Sequence, residues 1–222
     1  MIDQNIKLID SLVGISARNA MFSYMDYILE KNKYINLTAI KDRDEFIEKN
    51  IIDSLSVLQC ESYRKAKKIL DLGTGAGFPG VLLAIANPEK RFVLLDARMK
   101  KLKVIEDGIT LLGLKNIELL HGRAEDLAKE KKYFRKFDVC TSRAVANIEN
   151  LIKLSGDFIN VEGGILAYKG KTVESELEAG KETLKKLKFY IKNIYKQKYR
   201  VDSISGHVIV EIKKVSRETK ND

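Results

Sequence analysis

A glycine-rich stretch that follows an apolar run is the part of this sequence best suited to chemistry. Residues 71–80 read Asp-Leu-Gly-Thr-Gly-Ala-Gly-Phe-Pro-Gly, between the apolar runs 69–70 and 81–86. Glycine permits positive φ and close approach of the backbone to a ligand, and Pro79 suits the first turn of a helix. The helix N-terminus adds free N–H groups and a positive dipole end. The pattern predicts a strand, a turn and a helix with a nucleotide-like ligand lying across the turn.

Two carboxylates narrow the choice of nucleotide. A P-loop would end in Gly-Lys-Ser/Thr, and this stretch contains no lysine, which excludes that class. Asp71, two residues before Gly73, would repel a pyrophosphate but suits the amino group of S-adenosyl-L-methionine (AdoMet), directly or through water. Asp96 ends the next predicted strand, where a carboxylate can accept hydrogen bonds from both ribose hydroxyls of either cofactor. Asp71 therefore favours AdoMet, and a dinucleotide such as NAD stays open as the alternative.

Composition indicates a globular protein with a polyanionic partner. Hydrophobic residues make up 45% of the 222 residues and charged residues 32%, while 40 basic against 31 acidic residues give a net charge of +9. A basic excess of this size favours nucleic acid. Cys60 and Cys140 are the two cysteines, and no CxxC motif accompanies them. We expect no zinc site, reduced thiols, no signal peptide, no membrane span and a cytoplasmic protein.

Hydrophobic periodicity divides the chain into a helical N-terminus and an α/β region. Residues 1–57 have helical spacing, with Ser16 as a candidate N-cap of the second helix and Asp53 as an exposed acid. Strands and helices then alternate, which indicates a parallel sheet with right-handed crossovers. The predicted strands lie near 68–72, 91–95, 117–120, 137–142, 164–169, 189–199 and 206–213; the predicted helices near 79–86, 99–112, 147–160 and 173–187. We predict an N-terminal helical extension over 1–60 and a second domain over 61–222.

The last two strands distinguish between fold classes. The segment 201–206 is too short for a helical crossover, so these strands form a hairpin and one of them runs antiparallel to the rest. A mostly parallel, seven-stranded sheet with a terminal antiparallel strand is typical of Rossmann-like class I AdoMet-dependent methyltransferases rather than of dehydrogenases.

Ligands of such sheets bind at the carboxyl ends of the strands. This rule brings together the glycine-rich stretch, Asp96, the loop containing Ala124 and Glu125, and Arg143 and Lys169. Ala124 and Glu125 can contact the adenine edge. Arg143 can reach a phosphate, a base or Glu125, and Lys169 can contact a phosphate.

The motifs resemble, in order, those of the bacterial small-subunit ribosomal RNA guanine-N7 methyltransferase family, also called glucose-inhibited division protein B. The resemblance runs from about residue 34 to the final hairpin. The matching motifs are Asn36-Leu37-Thr38, Asp53-Ser54, Asp71–Gly80, Leu94-Leu95-Asp96, Lys100-Lys101, Arg123-Ala124-Glu125, Ser142-Arg143-Ala144 and Lys169-Gly170. One position departs from the family pattern, because Asn50 stands where the family often has histidine.

The resemblance implies AdoMet as cofactor and guanine N7 of 16S ribosomal RNA, naked or within the small subunit, as methyl acceptor. Asp96 would bind the ribose, and Arg143 would lie between cofactor and target base, positioning rather than acting as a base. The other residues expected at the cofactor are Asp71, Gly73, Gly75, Gly77, Phe78, Ala124 and Glu125. The residues expected at the RNA are Asn36, Lys100, Lys101 and Lys169. We expect no metal and a monomer.

Guanine N7 carries a lone pair and no proton, so the expected reaction needs no general base. His121 and His207 stand alone, with no motif around either, and are expected at the surface. Cys140 is expected inside the sheet rather than as a nucleophile. Two alternatives remain: a methyltransferase for another RNA base, and a non-catalytic AdoMet-binding protein of ribosome assembly.

Overall fold

A twisted seven-stranded sheet forms the centre of the molecule. The computed structural model describes residues 2–199 and 201–215 of the chain. The strands are β1 (Lys68–Leu72), β2 (Arg91–Asp96), β3 (Ile117–His121), β4 (Phe137–Arg143), β5 (Ile159–Lys169), β6 (Phe189–Lys196) and β7 (Val208–Lys214). Their order across the sheet is β3-β2-β1-β4-β5-β7-β6, with β7 antiparallel to both neighbours and the other pairs parallel. The predicted class I architecture is confirmed.

Helices cover both faces of this sheet. They are α1 (Ile2–Asn32), α2 (Arg43–Phe46), α3 (Asp53–Leu55), α4 (Glu61–Lys65), α5 (Gly80–Ala86), α6 (Met99–Leu111), α7 (Ala124–Leu127), α8 (Ile148–Ser155) and α9 (Val173–Leu187). A π-helical turn, Ile47–Ile52, joins α2 to α3, and the 3-10 turn Ser56–Gln59 follows. No described helix is long and apolar enough to span a bilayer.

Alternating side chains of the strands supply two cores. Ile69 of β1 faces the core formed with α1, α5 and α6, whereas the adjacent Leu70 faces the core formed with α8 and α9. Strands buried on both faces are expected to be mostly apolar, and β2 accordingly has an unbroken apolar run, Phe92–Leu95, between its charged ends. Tyr24 of α1 and Phe46 of α2 lie in the first core. The N-terminal helices thus share a core with the sheet, and a domain boundary at residue 60 stays a prediction.

The boundaries of several elements differ from those predicted. Helix α1 is interrupted at Gly14, with φ 81° and ψ 163°, two residues before the proposed cap Ser16. Helix α8 ends at Ser155, because Gly156 and the following residues turn into an earlier start of β5, at Ile159 rather than 164. Strand β6 ends at Lys196, and a 3-10 turn, Asp202–Ile204, lies in the loop before β7.

Candidate functional site

The segment 71–80, hereafter the glycine loop, is tied to the neighbouring strand by its backbone. The N–H groups of Gly73 and Thr74 both donate to the carbonyl oxygen of Leu95 in β2, at 2.8 and 3.0 Å. Gly73, Gly75 and Gly77 have φ values of 68°, 62° and 89°, a region that strongly favours glycine. The loop is therefore a left-handed turn fixed to the end of β2, as the sequence pattern requires.

The glycines of this loop face different surroundings. A Cβ at Gly75 would meet only the carbonyl oxygen of Gly73, at 3.9 Å, so this part of the backbone is open to a ligand. A Cβ at Gly77 would lie 2.5 Å from the hydroxyl of Tyr24, and one at Gly80 would lie 2.3 Å from Leu94. The small size of Gly77 and Gly80 therefore serves packing, and Gly75 has the geometry of a cofactor contact.

Asp71 supports the glycine loop from the buried side, at the end of β1. Its side chain is fully buried, and its carboxylate accepts hydrogen bonds from the N–H of Gly80, at 3.0 Å, and the hydroxyl of Thr141, at 3.0 Å. Burial raises the pKa of Asp71 to about 6, against the opposing effect of these hydrogen bonds. The contact of Asp71 with an amino group, directly or through water, stays a prediction. In the structure Asp71 is buried at the start of the loop and holds the start of α5 in place.

Asp96 lies at the end of β2, beside Gly75, and is itself buried, with 4% of its surface exposed. Its carboxylate accepts from the N–H of Gly75, at 2.9 Å, and from the N–H of Arg98, at 2.8 Å. Each carboxylate oxygen retains a lone pair for a further donor. The N–H of Gly122 donates to the carbonyl oxygen of Asp96, at 3.3 Å, which brings the loop 122–125 alongside. Within that loop Ala124 is buried and Glu125 is exposed.

Arg143 ends β4 and connects the sheet to the N-terminal helices. Its guanidinium lies 5.7 Å from the centre of the Phe78 ring and donates to the carbonyl oxygen of Lys49, at 2.7 Å, and to Oδ1 of Asn50, at 2.6 Å. The Phe78 ring is itself buried against Phe46 and Tyr24. Phe78 is thus a platform for Arg143, and the unusual Asn50 is buried, where it positions Arg143.

Two residues that the sequence did not single out complete this group. Asp53 is almost fully buried, with Oδ2 3.4 Å from Nη1 of Arg143 and Oδ1 2.9 Å from Nδ1 of His207. The expectation of an exposed Asp53 is therefore wrong. His207 lies in a loop and is half-exposed, as expected, but its ring is paired with Asp53. The Asp53-Ser54 motif and the Gly206-His207 pair at the hairpin were the available signals, but 154 residues separate Asp53 from His207.

These residues line a cavity of about 600 Å³ at the carboxyl ends of β4 and β5, hereafter the Arg143 cavity. Its wall consists of Thr38, Ala39, Ile40, Lys49, Asn50, Asp53, residues 143–147, Tyr168, Lys169, Gly170, Glu176 and His207. Val145 also approaches Gly73, since a Cβ there would lie 2.4 Å from it. The cavity consequently adjoins the glycine loop.

The side chains expected to contact RNA differ in exposure and in whether their charges are already paired within the protein. Lys169 is nearly buried and donates to the carbonyl oxygen of Ala146, at 2.6 Å, and to Glu176, at 2.7 Å, so its charge is already paired. Lys101 is half-buried and reaches the carbonyl oxygen of Leu37, at 3.5 Å. Desolvation, followed by repulsion from Arg98, lowers the pKa of Lys101. Lys100 and Asn36 are exposed.

Cys140 is fully buried in the sheet, as expected, and burial raises the pKa of its thiol far above the usual range. It is therefore unsuited to nucleophilic attack, because the thiolate is the reactive form. Across residues 2–199 and 201–215, no three His, Cys, Asp or Glu side chains form a group that could hold a metal ion.

Comparison with known proteins identifies the family. The sequence profile described as "GidB: rRNA small subunit methyltransferase G" matches residues 17–204. The chain belongs to this family. Its relatives include the ribosomal RNA small subunit methyltransferase G of Clostridium novyi (strain NT), 39% identical over 91% of this chain and 83% of the relative. The protein of the same name from Thermoanaerobacter sp. (strain X514) is 40% identical over 86% of this chain and 80% of the relative.

Solved structures agree with the family in fold. A ribosomal protein L11 methylase from Lactobacillus delbrueckii subsp. bulgaricus superposes with a TM-score of 0.54 at 18% identity, over 74% of this chain and 77% of that chain. A mutant of MtNAS in complex with S-adenosylmethionine gives a TM-score of 0.59 at 13% identity, over 94% of this chain and 78% of that chain. At such identities the likeness concerns the fold, and the resemblance of the motifs to the methyltransferase family is confirmed by the profile and the relatives.

Proposed function

We propose that this protein transfers the methyl group of AdoMet to N7 of a guanine in small-subunit (16S) ribosomal RNA. The observation that carries the proposal is the junction between two sites: the open backbone of the glycine loop at Gly75, which donates to the carboxylate of Asp96, and the Arg143 cavity. The two sites are joined through Val145 and Phe78. Family membership supplies the class of reaction and of substrate.

The open side of the glycine loop fits AdoMet. Asp96 can accept from the ribose hydroxyls with its remaining lone pairs, and Gly75 allows close approach to the backbone. Gly73, packed against Val145, keeps the loop in its turn beside the cofactor. The loop of Ala124 and Glu125 lies beside Asp96, where it can contact the adenine. Gly77, Phe78 and Asp71 contribute by packing the loop against α1, α2 and α5 rather than by touching the cofactor.

The Arg143 cavity accommodates the guanine. AdoMet, held beside Gly75 and Asp96, would supply an electrophilic methyl group to the lone pair of N7, with S-adenosylhomocysteine as the leaving group. The guanine becomes cationic in this step, and the buried carboxylate of Asp53 compensates the neighbouring charge of Arg143. Arg143 therefore positions the base without adding an uncompensated positive charge.

No residue of the cavity has to remove a proton, because guanine N7 has none. The task of the protein is to hold two reactants in the geometry for attack, which can lower a barrier by roughly 7–11 kcal/mol in favourable cases. The hydrogen bonds that fix Arg143 to Lys49 and Asn50 serve this purpose. We further propose that the protein acts as a monomer on ribosomal RNA in the cytoplasm.

Lys100 is proposed as an RNA phosphate contact near the glycine loop, with Lys101 beside it on α6. Lys100→Ala should weaken RNA binding and reduce the slope of log K against log salt by about 0.7–0.9, while AdoMet affinity stays the same. Lys101→Ala should change the slope less, because Lys101 is half-buried against Leu37. An unchanged slope in both variants would remove Lys100 and Lys101 from the interface.

A methyl-transfer assay tests the proposed function. Small subunits and deproteinised small-subunit RNA, both lacking their native methylation, are incubated with the protein and methyl-labelled AdoMet, and the RNA is digested to nucleosides. We expect label in 7-methylguanosine, and the better of the two substrates shows which form is recognised. Label in another nucleoside would refute N7 transfer, and AdoMet binding without label would indicate a non-catalytic protein.

A further inference from the structure

The side chains of the Arg143 cavity are arranged in a row that leads away from the glycine loop. Arg143 lies over Phe78 of that loop, Asp53 contacts Arg143, and His207 contacts Asp53. His207 also lines a second cavity, formed by the loop between β6 and β7, which the glycine loop does not touch. His207 is therefore separated from Phe78 of the glycine loop by Arg143 and Asp53, and it lies where the Arg143 cavity meets this second cavity.

The hydrogen bond to Asp53 determines which ring nitrogen of His207 carries the proton. A carboxylate accepts hydrogen bonds, so Nδ1 of His207 carries the proton in the 2.9 Å contact with Oδ1. In the neutral imidazole the other nitrogen, Nε2, then has a free lone pair and acts as an acceptor. The ring is 38% exposed, which leaves part of it free to face a ligand.

The loop that carries His207 is well fixed. The N–H of Gln197 donates to the carbonyl oxygen of His207, at 3.1 Å. The N–H of His207 donates to the carbonyl oxygen of Ile204, at 3.0 Å. Ile204 is fully buried and belongs to the core that includes α1. Asp53 also holds the ring through its hydrogen bond to Nδ1. The imidazole therefore has a fixed orientation, which a side chain needs in order to recognise one base.

Guanine has a donor at the matching position. When N7 points to the methyl group, the exocyclic 2-amino group lies on the opposite side of the purine, at the end of the cavity away from the cofactor. Adenine lacks an amino group there, and inosine differs from guanosine only in its absence. An acceptor at the far end of the cavity therefore selects guanine.

We propose that Nε2 of His207 accepts a hydrogen bond from the 2-amino group of the guanine that is methylated, which makes His207 a specificity-determining residue. This inference rests on the proposed N7 transfer. The role of Asp53 is to orient the imidazole and to keep the proton on Nδ1.

Internal competition between guanosine and inosine tests the inference whichever guanine of the RNA is the target. Small-subunit RNA is transcribed with inosine triphosphate replacing part of the guanosine triphosphate, then used in whichever form, naked or reconstituted, the transfer assay favours. After methylation with labelled AdoMet, the ratio of 7-methylguanosine to 7-methylinosine is divided by the ratio of the two nucleosides in the transcript. The lower nucleophilicity of inosine N7 affects all variants equally, so the comparison between variants isolates the hydrogen bond.

His207→Ala should lower the normalised ratio by roughly three- to ten-fold relative to the wild type, the effect of one neutral hydrogen bond. His207→Asn can place its side-chain amide at the position of Nδ1, so it keeps a donor for Asp53 and preserves the loop. It has no atom in place of Nε2, so it should lower the ratio as much as His207→Ala does. His207→Gln, which can place an amide oxygen near Nε2, should recover part of the preference. Ser203→Ala, an exposed residue of the same loop, serves as the matched control.

The outcomes separate the two proposals. An equal ratio in the wild type, His207→Ala and His207→Asn, with 7-methylguanosine formed by all, would overturn the inference and leave N7 transfer intact. Wild-type label in a nucleoside other than these two would overturn both. If His207→Ala does not fold, the comparison of the normalised ratio between the wild type and His207→Asn tests the inference.

Discussion

The glycine loop and the Arg143 cavity meet at Phe78, yet their polar groups are held by different means. At the glycine loop, Asp71 of the loop and Asp96 of β2 accept hydrogen bonds from backbone N–H groups of the loop, 9 and 21 residues away in the sequence. In the cavity, Arg143, Asp53 and His207 are held by one another, across 90 and 154 residues. A loop fixed by its backbone depends on glycines, whereas a cavity fixed by side chains depends on exact pairs of charges and hydrogen bonds.

Substitution of Gly80 should expose the dependence of the glycine loop on backbone packing. A Cβ at Gly80 would lie 2.3 Å from Leu94 and 2.7 Å from the Asp71 carboxylate, so Gly80→Ala forces the strand and helix apart. We expect the free energy of unfolding to fall by about 3 kcal/mol, measured by urea denaturation. In Gly170→Ala the new Cβ meets no atom within 4 Å, so stability should be retained. Equal stability of both variants would contradict this account.

Arg143→Lys should separate activity from folding in the Arg143 cavity. Lysine keeps the positive charge near Asp53 but lacks the planar fork that reaches both Lys49 and Asn50. We expect kcat/KM for methyl transfer to RNA to fall roughly 30- to 100-fold, about 2–3 kcal/mol of transition-state stabilisation. AdoMet affinity, measured by calorimetric titration, should change less than three-fold. A parallel loss of AdoMet affinity would show that Arg143 serves the cofactor as much as the acceptor.

Asp96→Asn should affect the cofactor alone. Gly75 donates to Oδ2 of Asp96 and Arg98 to Oδ1, so in asparagine one of these two N–H groups would face the side-chain NH2 group. The amide also lacks the charge that attracts ribose hydroxyls. We expect AdoMet affinity to fall about 30-fold, equivalent to about 2 kcal/mol, while RNA affinity stays within three-fold. Asp126→Asn, an exposed acid on α7, is the matched control. An Asp96→Asn variant with normal AdoMet affinity would exclude the ribose contact.

The same contrast explains which parts of the site could be predicted from the sequence. Asp96 and the open Gly75 lie in one strand–loop–helix unit and its neighbouring strand, where spacing determines position. The mostly parallel sheet, and one antiparallel strand in the final hairpin, followed from the alternation of elements and the short link between the last strands. The order of the strands and the identity of β7 as the antiparallel one came from the structure. These features depend on local periodicity and on general rules of connection.

The Arg143 cavity could not be assembled in this way. Nothing local to Asp53 indicates that it is buried, because its hydrogen-bonding partners, Arg143 and His207, come from other elements. The π-helical turn Ile47–Ile52, which directs Asn50 toward Arg143, has no evident signature in the sequence. Asp71 was recognised as important, but whether its carboxylate faces the ligand or the core depends on the packing of α5 behind the loop.

The buried position of Asp71 gives the glycine loop a pH dependence of its own. The pKa of Asp71 is raised from 3.8 to about 6 in the folded protein, so the folded state binds this proton more tightly than the unfolded chain. The contribution of Asp71 to the free energy of unfolding therefore falls as the pH rises from about 4 to about 6, and stays at its lower value above that range.

Asp71→Asn isolates this contribution. The asparagine oxygen can accept from Gly80 while its amide donates to Thr141, so the loop is preserved and the titration is removed. Between pH 5 and pH 7, the wild type should lose on the order of 1 kcal/mol of stability relative to the variant, measured by urea denaturation at both values. AdoMet affinity at pH 7 should change far less than in Asp96→Asn. A large loss of AdoMet affinity would mean that Asp71 contacts AdoMet. It would contradict the assignment of Asp71 to packing of the loop and of Asp96 to the cofactor, which their hydrogen bonds to Gly80 and Gly75 indicate.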